Sequence, residues 1–215
     1  MMIFPGAFYD NELKGKTAEE ILIVISDLKK QIARSKKIME HPTYPKVKKF
    51  HPDEAARIAY FRAYLLRAQM ALMEAGGTYT PTAAEKRAME FDNNIPFISQ
   101  VKFCIGGYWN GYETKTYTID GDKVRIYIEH SLIHTPSNIP DEKLLRLDKE
   151  DFLSSLEELH IGEWRRHYDS DILDGTQWNL DIYFSNGHKP VKFYGNNAYP
   201  YNFNQLLELF EIENQ

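Results

Sequence analysis

Apolar residues recur at helical spacing in the first 92 residues of the chain. Thr17 and Glu20 have the spacing of a capping box, which predicts a helix that begins there. Pro42 disfavours a helical residue before it, so this helix is predicted to end at His41. One face of the helix carries an apolar stripe made of Ile21, Ile25, Leu28, Ile32 and Met39.

A second helix is predicted between Pro52 and the Gly76-Gly77 pair, where a left-handed cap costs little. Because a short connection joins the two helices, they are predicted to pack as an antiparallel hairpin. A third, short helix is predicted from about Thr82 to Asp92. The second helix is predicted to run through the apolar residues Ile58, Phe61, Leu65, Met70 and Leu72.

The period changes from helical to alternating at Ile95. Segments rich in β-branched and aromatic residues alternate with turn signals, which predicts an antiparallel meander. Its three strands are Phe97 to Gly106, Tyr112 to Ile119 and Lys123 to His130. A polar loop is predicted next, and Asp148 is predicted to cap the helix that follows it.

The last part of the chain repeats this order of strands and helix. Turn signals at Asp174-Gly175 and Asn186-Gly187 separate the predicted strands. Asn202 is predicted to cap a final helix. The three strands are Glu163 to Tyr168, Thr176 to Phe184 and Lys189 to Tyr194.

Together these elements predict an α+β protein. An N-terminal helical hairpin precedes a mostly antiparallel sheet of about six strands, which two helices cover on one face. Residues 1–92 hold an N-terminal arm, the hairpin and the third helix. Residues 93–215 hold two successive β-β-β-α units, and the two regions are predicted to pack as one unit.

Composition indicates a folded chain whose two regions differ in charge. Hydrophobic residues make up 43% of the 215 residues and charged residues 27%, which is typical of globular domains. Lys and Arg outnumber Asp and Glu by 15 to 12 in residues 1–92, whereas acidic residues lead by 19 to 11 in residues 93–215. This asymmetry suits either pairing between the regions or two surfaces with different partners.

Cysteine usage and the N-terminus predict a cytoplasmic protein. Cys104 is the single cysteine, so the chain forms no internal disulfide. The start MMIFPGAFYDNELKGK lacks the basic segment and apolar run of a signal peptide. No apolar stretch approaches the roughly 18 residues of a membrane span, so no membrane insertion is predicted.

Four segments resemble a family of bacterial proteins of unknown function. The front half contributes FYDNELKGKTAEEI and GGYWNGYETKT, and the back half contributes DGTQWNLDIYF and GNNAYPYNF. The similarity extends over nearly the full length of the chain. It implies that the helical and sheet-containing regions recur together, and it implies no ligand, cofactor or catalytic residue.

Familiar motifs of metal, nucleotide and hydrolase chemistry are absent from the sequence. His130 and His134 have the spacing of a helical metal pair, but they fall where a strand gives way to a loop. Asp169, Asp171 and Asp174 lack the order and the distant Glu of an EF-hand. No GxxxxGK[ST] or GxSxG motif occurs. The sequence therefore predicts no metal and no cofactor.

Aromatic and amide side chains near the C-terminus form the candidate binding surface. Tyr and Trp rings combine apolar area with a polar tip, which suits them both to binding sites and to half-buried packing positions. The predicted function is non-enzymatic binding of a small molecule or a protein through this surface. We call it the aromatic rim, and its residues are Trp164, Tyr168, Asp174, Tyr183, Asn196, Asn197 and Tyr199, with Tyr194 and Tyr201 beside them.

Two other functions stay open at this point. A small-molecule hydrolase or transferase would need the side chains of Asp174, His167 and Tyr168 to meet. A nucleic-acid-associated protein would use basic residues at one end of the hairpin, namely Lys36, Lys37, Lys48 and Lys49. The acidic charge of the whole chain disfavours nucleic-acid contact.

Overall fold

The chain divides into two compact units in a computed structural model. The structure describes residues 4–44, 52–109, 111–131, 141–171 and 175–212. Residues 1–81 form the first unit and residues 82–215 form the second. The third helix, which the sequence groups with the hairpin, therefore lies in the second unit.

Two long helices form the first unit. Helix α2 (Ala18–Met39) and helix α3 (Glu54–Glu74) follow a short helix α1 (Pro5–Phe8) and a π-helical turn (Tyr9–Leu13). The end of α3 lies beside the start of α2, because a Cβ on Gly77 would contact Ala18. The helices are therefore antiparallel, as predicted.

The start of α2 has the capping box that the sequence predicts. The hydroxyl oxygen of Thr17 accepts the amide of Glu20 at 3.3 Å, and the carboxylate of Glu20 accepts the amide of Thr17 at 2.8 Å. Ile21, Ile25 and Leu28 of the predicted apolar stripe are buried, which confirms this part of the stripe.

The apolar residues predicted along α3 all lie in this helix, but they do not all face the core of the first unit. Met70 is 45% exposed, whereas Phe61 and Leu72 are buried in the core of the first unit. At about 100° per residue, Met70 points away from that core. Helix α3 therefore carries apolar residues on both sides.

The second unit is a seven-stranded sheet with helices on one face. The strand order is β4-β3-β2-β1-β6-β7-β5, and neighbours are antiparallel except for the parallel pair β5 and β7. The strands are β1 (Ile98–Gly107), β2 (Gly111–Asp120), β3 (Lys123–His130), β4 (Asp141–Asp148), β5 (His167–Asp169), β6 (Gln177–Phe184) and β7 (Val191–Asn196). The helices are α4 (Ala83–Asn94), α5 (Lys149–Glu158) and α6 (Phe203–Leu209).

The predicted α+β class is confirmed, with two differences in the strands. The loop predicted before Asp148 contains β4, an edge strand whose charged sequence suits its single neighbour. The strand predicted at Glu163 to Tyr168 is present, but it begins later than predicted. A 3-10 turn at Ile161–Glu163 keeps the chain off the sheet until His167, where the short strand β5 begins.

One face of the sheet is apolar and the other is polar. The register aligns Phe103 with Leu180 across β1 and β6, and Leu180 with Phe193 across β6 and β7. These residues share a core cluster with apolar residues of α4, α5 and α6, such as Phe91 and Phe152. The opposite face, which we call the open face, carries most of the polar residues of β1, β2, β3, β5, β6 and β7.

One charged side chain lies inside the core. Lys115 on β2 is 7% exposed, and its Nζ donates to the carbonyl oxygens of Phe210 at 2.8 Å and Glu211 at 2.9 Å. The Glu113 carboxylate lies 3.3 Å from Nζ, and the Tyr117 hydroxyl donates to the Phe210 carbonyl at 3.2 Å. Carbonyls at a helix end lack partners within the helix and favour a nearby cation. Lys115 therefore fastens the end of α6 to the sheet.

We expect Lys115→Met to lower the free energy of unfolding by about 2 to 4 kcal/mol, because two carbonyls lose a charged donor. Urea unfolding followed by circular dichroism measures this change. The control is Lys102→Met, whose exposed side chain lies on the open face and whose loss should cost less than about 0.5 kcal/mol. Equal effects of the two substitutions would contradict the capping role.

Tyr117 should make stability sensitive to alkaline pH. Burial, followed by the charges of Glu211 and Glu113, raises the pKa of its phenol in the folded protein. In the unfolded chain the phenol ionises near pH ~10. Its contribution is therefore complete below that pH and is lost as the pH rises above it.

We expect the free energy of unfolding to fall more steeply above pH ~10 in the wild type than in Tyr117→Phe. Urea titrations at a series of alkaline pH values give both slopes. Parallel slopes would show that the Tyr117 phenol ionises alike in the folded and unfolded chains.

Candidate functional site

The residues of the predicted aromatic rim do not share one face of the sheet. Trp164 and Tyr168 are 6% and 2% exposed and belong to the core of the second unit. Tyr183 and Asn196 lie on the open face. Asp174 lies outside the described residues, so its predicted role is not addressed by the structure.

Trp164 packs inside the core instead of lining a surface. Its Nε1 donates to Oδ1 of Asn202 at 3.0 Å, and Nδ2 of Asn202 donates to the carbonyl of Leu159 at 2.7 Å. Asn202 is the N-cap residue of α6, but the predicted side-chain cap is not made. The amide instead links the end of α5 to Trp164, so both residues have a structural role.

Tyr168 and His167 point to opposite faces, as neighbours on a strand must. The Tyr168 hydroxyl accepts the amide of Arg165 at 3.0 Å, and its ring lies 5.9 Å from that of Trp178 in the core. His167 is exposed on the open face. The two side chains therefore share no reaction centre, and the geometry gives the predicted hydrolase or transferase no support.

Asn197 and Tyr199 also have packing roles. Asn197 adopts a left-handed conformation with φ of 52°, and its Oδ1 accepts the amide of Thr176 at 2.9 Å. This approach leaves no room for a Cβ at Gly175. The ring of Tyr199 lies 4.7 Å from that of Phe203 and packs against the core. Both residues hold the chain around β6 and α6.

The open face keeps a connected group of polar and aromatic side chains that we call the open-face patch. Strand β6 contributes Gln177, Asn179, Asp181 and Tyr183, and β5 and β7 contribute His167, Asp169, Lys192, Tyr194 and Asn196. The register places these residues on adjoining strands and on the same face. The patch thus includes Tyr183 and Asn196 from the predicted rim.

Tyr194 is the most exposed aromatic residue in the open-face patch. Tyr194 is 44% exposed, and its ring lies 4.1 Å from the His167 ring with a tilt of 35°. Asn179 is its partner across β6 and β7, and Asn196 follows it on the same face. The His167 contact restricts the ring, while the amides border it with groups that both donate and accept hydrogen bonds.

The charges of Lys192 and Asp181 are paired within the patch. Nζ of Lys192 lies 2.9 Å from Oδ2 of Asp181, and the Tyr183 hydroxyl donates to the same oxygen at 3.3 Å. The hydrogen bond and charge of Asp181 raise the pKa of Lys192. Asp169 on β5 and Lys102 on β1, the register partner of Asp181, lie on the same face, so the formal charges of these four side chains sum to zero.

Sequence reasoning missed two exposed aromatic residues at the turn between β1 and β2. Tyr108 is 76% exposed and Trp109 is 81% exposed, and their rings meet edge to face at 5.0 Å. The turn lies at the end of the sheet where β6 begins, since Gly106 pairs with Gln177. The signal was present in GGYWNG, because large aromatic residues inside a glycine-rich turn belong to neither face of the sheet.

The structure addresses the basic end of the hairpin in part. Lys36 and Lys37 lie in the last turn of α2, where positive charge suits the helix dipole. Lys48 and Lys49 lie outside the described residues, as does His134. In the described part of the chain, no three His, Cys, Asp or Glu side chains gather as a metal site requires. Among the same residues, no helix has the length and apolarity needed to cross a bilayer.

Comparison with family models, with curated proteins and with solved structures finds no significant match. The resemblance to a bacterial family therefore stays a prediction.

We expect Asn202→Leu to lower the free energy of unfolding by about 1 to 3 kcal/mol, because buried Trp164 Nε1 and the Leu159 carbonyl lose their partner. Urea unfolding gives the value. The matched control is Asn179→Leu, at an exposed position of the open face, which should change stability by less than about 0.5 kcal/mol. An unaffected Asn202→Leu protein would remove the structural role given to this amide.

Proposed function

We propose that this protein binds an uncharged, hydroxyl-rich ligand, such as an oligosaccharide segment, on the open-face patch. The observation that carries the proposal is the half-exposed Tyr194 ring, held by His167 at 4.1 Å and bordered by side-chain amides. An aromatic ring supplies apolar contact area, and neighbouring amides supply directional hydrogen bonds. A sugar ring presents both an apolar C–H face and hydroxyl groups.

The charge arrangement favours an uncharged ligand. Lys192 and Asp181 satisfy each other at 2.9 Å, so neither offers an unpaired charge to a phosphate or to a cation. Polyanion binding relies on several unpaired Lys and Arg side chains along a surface. Gln177, Asn179 and Asn196 instead carry neutral amide groups. Oε1 of Gln177 accepts the Tyr112 hydroxyl at 2.9 Å and Oδ1 of Asn196 accepts Nδ2 of Asn197 at 3.0 Å, which leaves their amide N–H groups as donors. The patch is therefore suited to hydroxyl groups.

The position of the patch favours binding without large rearrangement. Strand β6 pairs with β1 on one side and with β7 on the other, so its backbone is held along both edges. Strand β7 lies between β6 and the short strand β5. A site on paired strands is held more precisely than one on a loop. The aromatic rings and side-chain amides of the open-face patch are therefore preorganised for binding.

We expect at least one member of a panel of neutral oligosaccharides to bind the full chain, measured by NMR titration or calorimetry. Tyr194→Ala should weaken that binding about tenfold or more, because aromatic contacts at a site centre carry a large share of affinity. Tyr60→Ala serves as the matched control, since Tyr60 is 38% exposed but belongs to the first unit. It should leave the affinity unchanged.

Salt provides a second readout of the same site. Because the patch has no net charge from Lys192 and Asp181, affinity should change less than about twofold between 50 and 200 mM salt. A panel without a binder, or equal loss in Tyr194→Ala and Tyr60→Ala, would refute the proposal. Steep salt dependence would indicate a charged ligand instead.

A further inference from the structure

Helix α3 has a second apolar face on the side away from the core of the first unit. Leu66 is 61% exposed, Met70 is 45% exposed and Met73 is 67% exposed. We call this face the outer seam, and it consists of Ala59, Ala63, Leu66, Met70 and Met73. The spacing alternates between four and three residues, which is the heptad repeat of packed helices.

The outer seam lies opposite the face that α3 buries. At about 100° per residue, the seam positions cluster on one side and the buried Phe61, Ala68 and Leu72 cluster on the other. A helix that is apolar on both sides normally has a neighbour on each. The α2 contact accounts for the buried side, and the outer seam is suited to a second helix.

The sizes of the residues along the outer seam indicate which helix would pack against it. The N-terminal half has the small residues Ala59 and Ala63, whereas the C-terminal half has the large residues Met70 and Met73. We propose that a second copy of this chain packs there, with the two α3 helices antiparallel about a two-fold axis near Leu66. Each alanine then faces a methionine of the other copy, as an isologous interface requires. Parallel helices would place methionine against methionine and leave gaps between the alanines.

Charges beside the seam favour the same direction. A parallel pair would bring Arg62 of each copy against Arg67 of the other, which gives two contacts between like charges. In the antiparallel pair, Arg67 faces its own equivalent once near the axis. Each Arg67 is paired with Glu74 of its own helix at 3.2 Å, which offsets the repulsion. Tyr60 would lie beside Glu74 of the second copy.

The size of the contact sets the expected strength. The seam spans 14 rises of 1.5 Å, or about 21 Å of helix. One helix pair of this length buries less than the roughly 1,200 Å² of a standard stable interface, so a weak dimer is expected. Dimerisation should appear at protein concentrations near 100 µM, as a rough figure for an interface of this class.

Sedimentation velocity of the full chain over a wide concentration range tests the dimer. We expect reversible monomer and dimer, with Leu66→Glu weakening association at least tenfold and Leu66→Ala weakening it less. Ile23→Glu is the matched control, because Ile23 is 63% exposed on α2 and lies outside the seam. Circular dichroism confirms that each variant is folded. A wild type that stays monomeric up to millimolar concentration, or an Ile23→Glu variant as impaired as Leu66→Glu, overturns the proposal.

Disulfide trapping tests the direction of the two helices. In a Cys104→Ser background, Ala59→Cys and Met73→Cys proteins are mixed and oxidised. The antiparallel pair predicts that cross-linking between the two variants is much faster than within either one. Faster cross-linking within Ala59→Cys or within Met73→Cys alone overturns the antiparallel arrangement.

Discussion

The packing of helix α6 on the sheet depends on the hydrogen bonds that the ammonium group of Lys115 donates to the end of this helix. Helix α6 has seven residues, too few to be stable without packing. The rings of Phe203 and Phe210, at the two ends of the helix, lie 6.1 Å and 5.2 Å from the ring of Phe103. These contacts bury the end of the helix among apolar side chains. That end exposes carbonyls that would be costly to bury without donors. Lys115 supplies these donors, so the end of α6 is packed against apolar side chains and has its carbonyl groups hydrogen-bonded.

The same pairing of polar groups explains why the core tryptophans are not available to a ligand. Trp178 lies across Gly195, where a Cβ would overlap the indole, and its Nε1 donates to the carbonyl of Ala198 at 2.9 Å. Trp164 is bound to Asn202 in a comparable way. Core aromatic residues whose polar atoms are already bonded inside have no tip to offer a ligand. The proposed binding is therefore assigned to residues such as Tyr194 on the opposite face.

Much of the fold was predictable from alternation, but the candidate site was predictable only in part. Alternation along β6 correctly separates Trp178 and Leu180 from Tyr183, because each strand obeys a two-residue period. It does not say how one strand's faces align with those of the next. The aromatic rim joined Trp164 and Tyr168, which face the core, to Tyr183, which does not. Register decides this alignment, and it depends on long-range pairing such as the parallel contact of β5 with β7.

Helical periodicity has the corresponding weakness in α3. When both sides of a helix are apolar, periodicity does not tell which side contacts the neighbouring helix, and Met70 lies on the side that does not. The core of the first unit does not require apolar residues at exposed positions, because polar side chains would be tolerated there. Small residues at one end of the outer seam and large ones at the other therefore need a different cause. A surface that must match its own copy in reverse provides one, since it constrains size as well as polarity at each position.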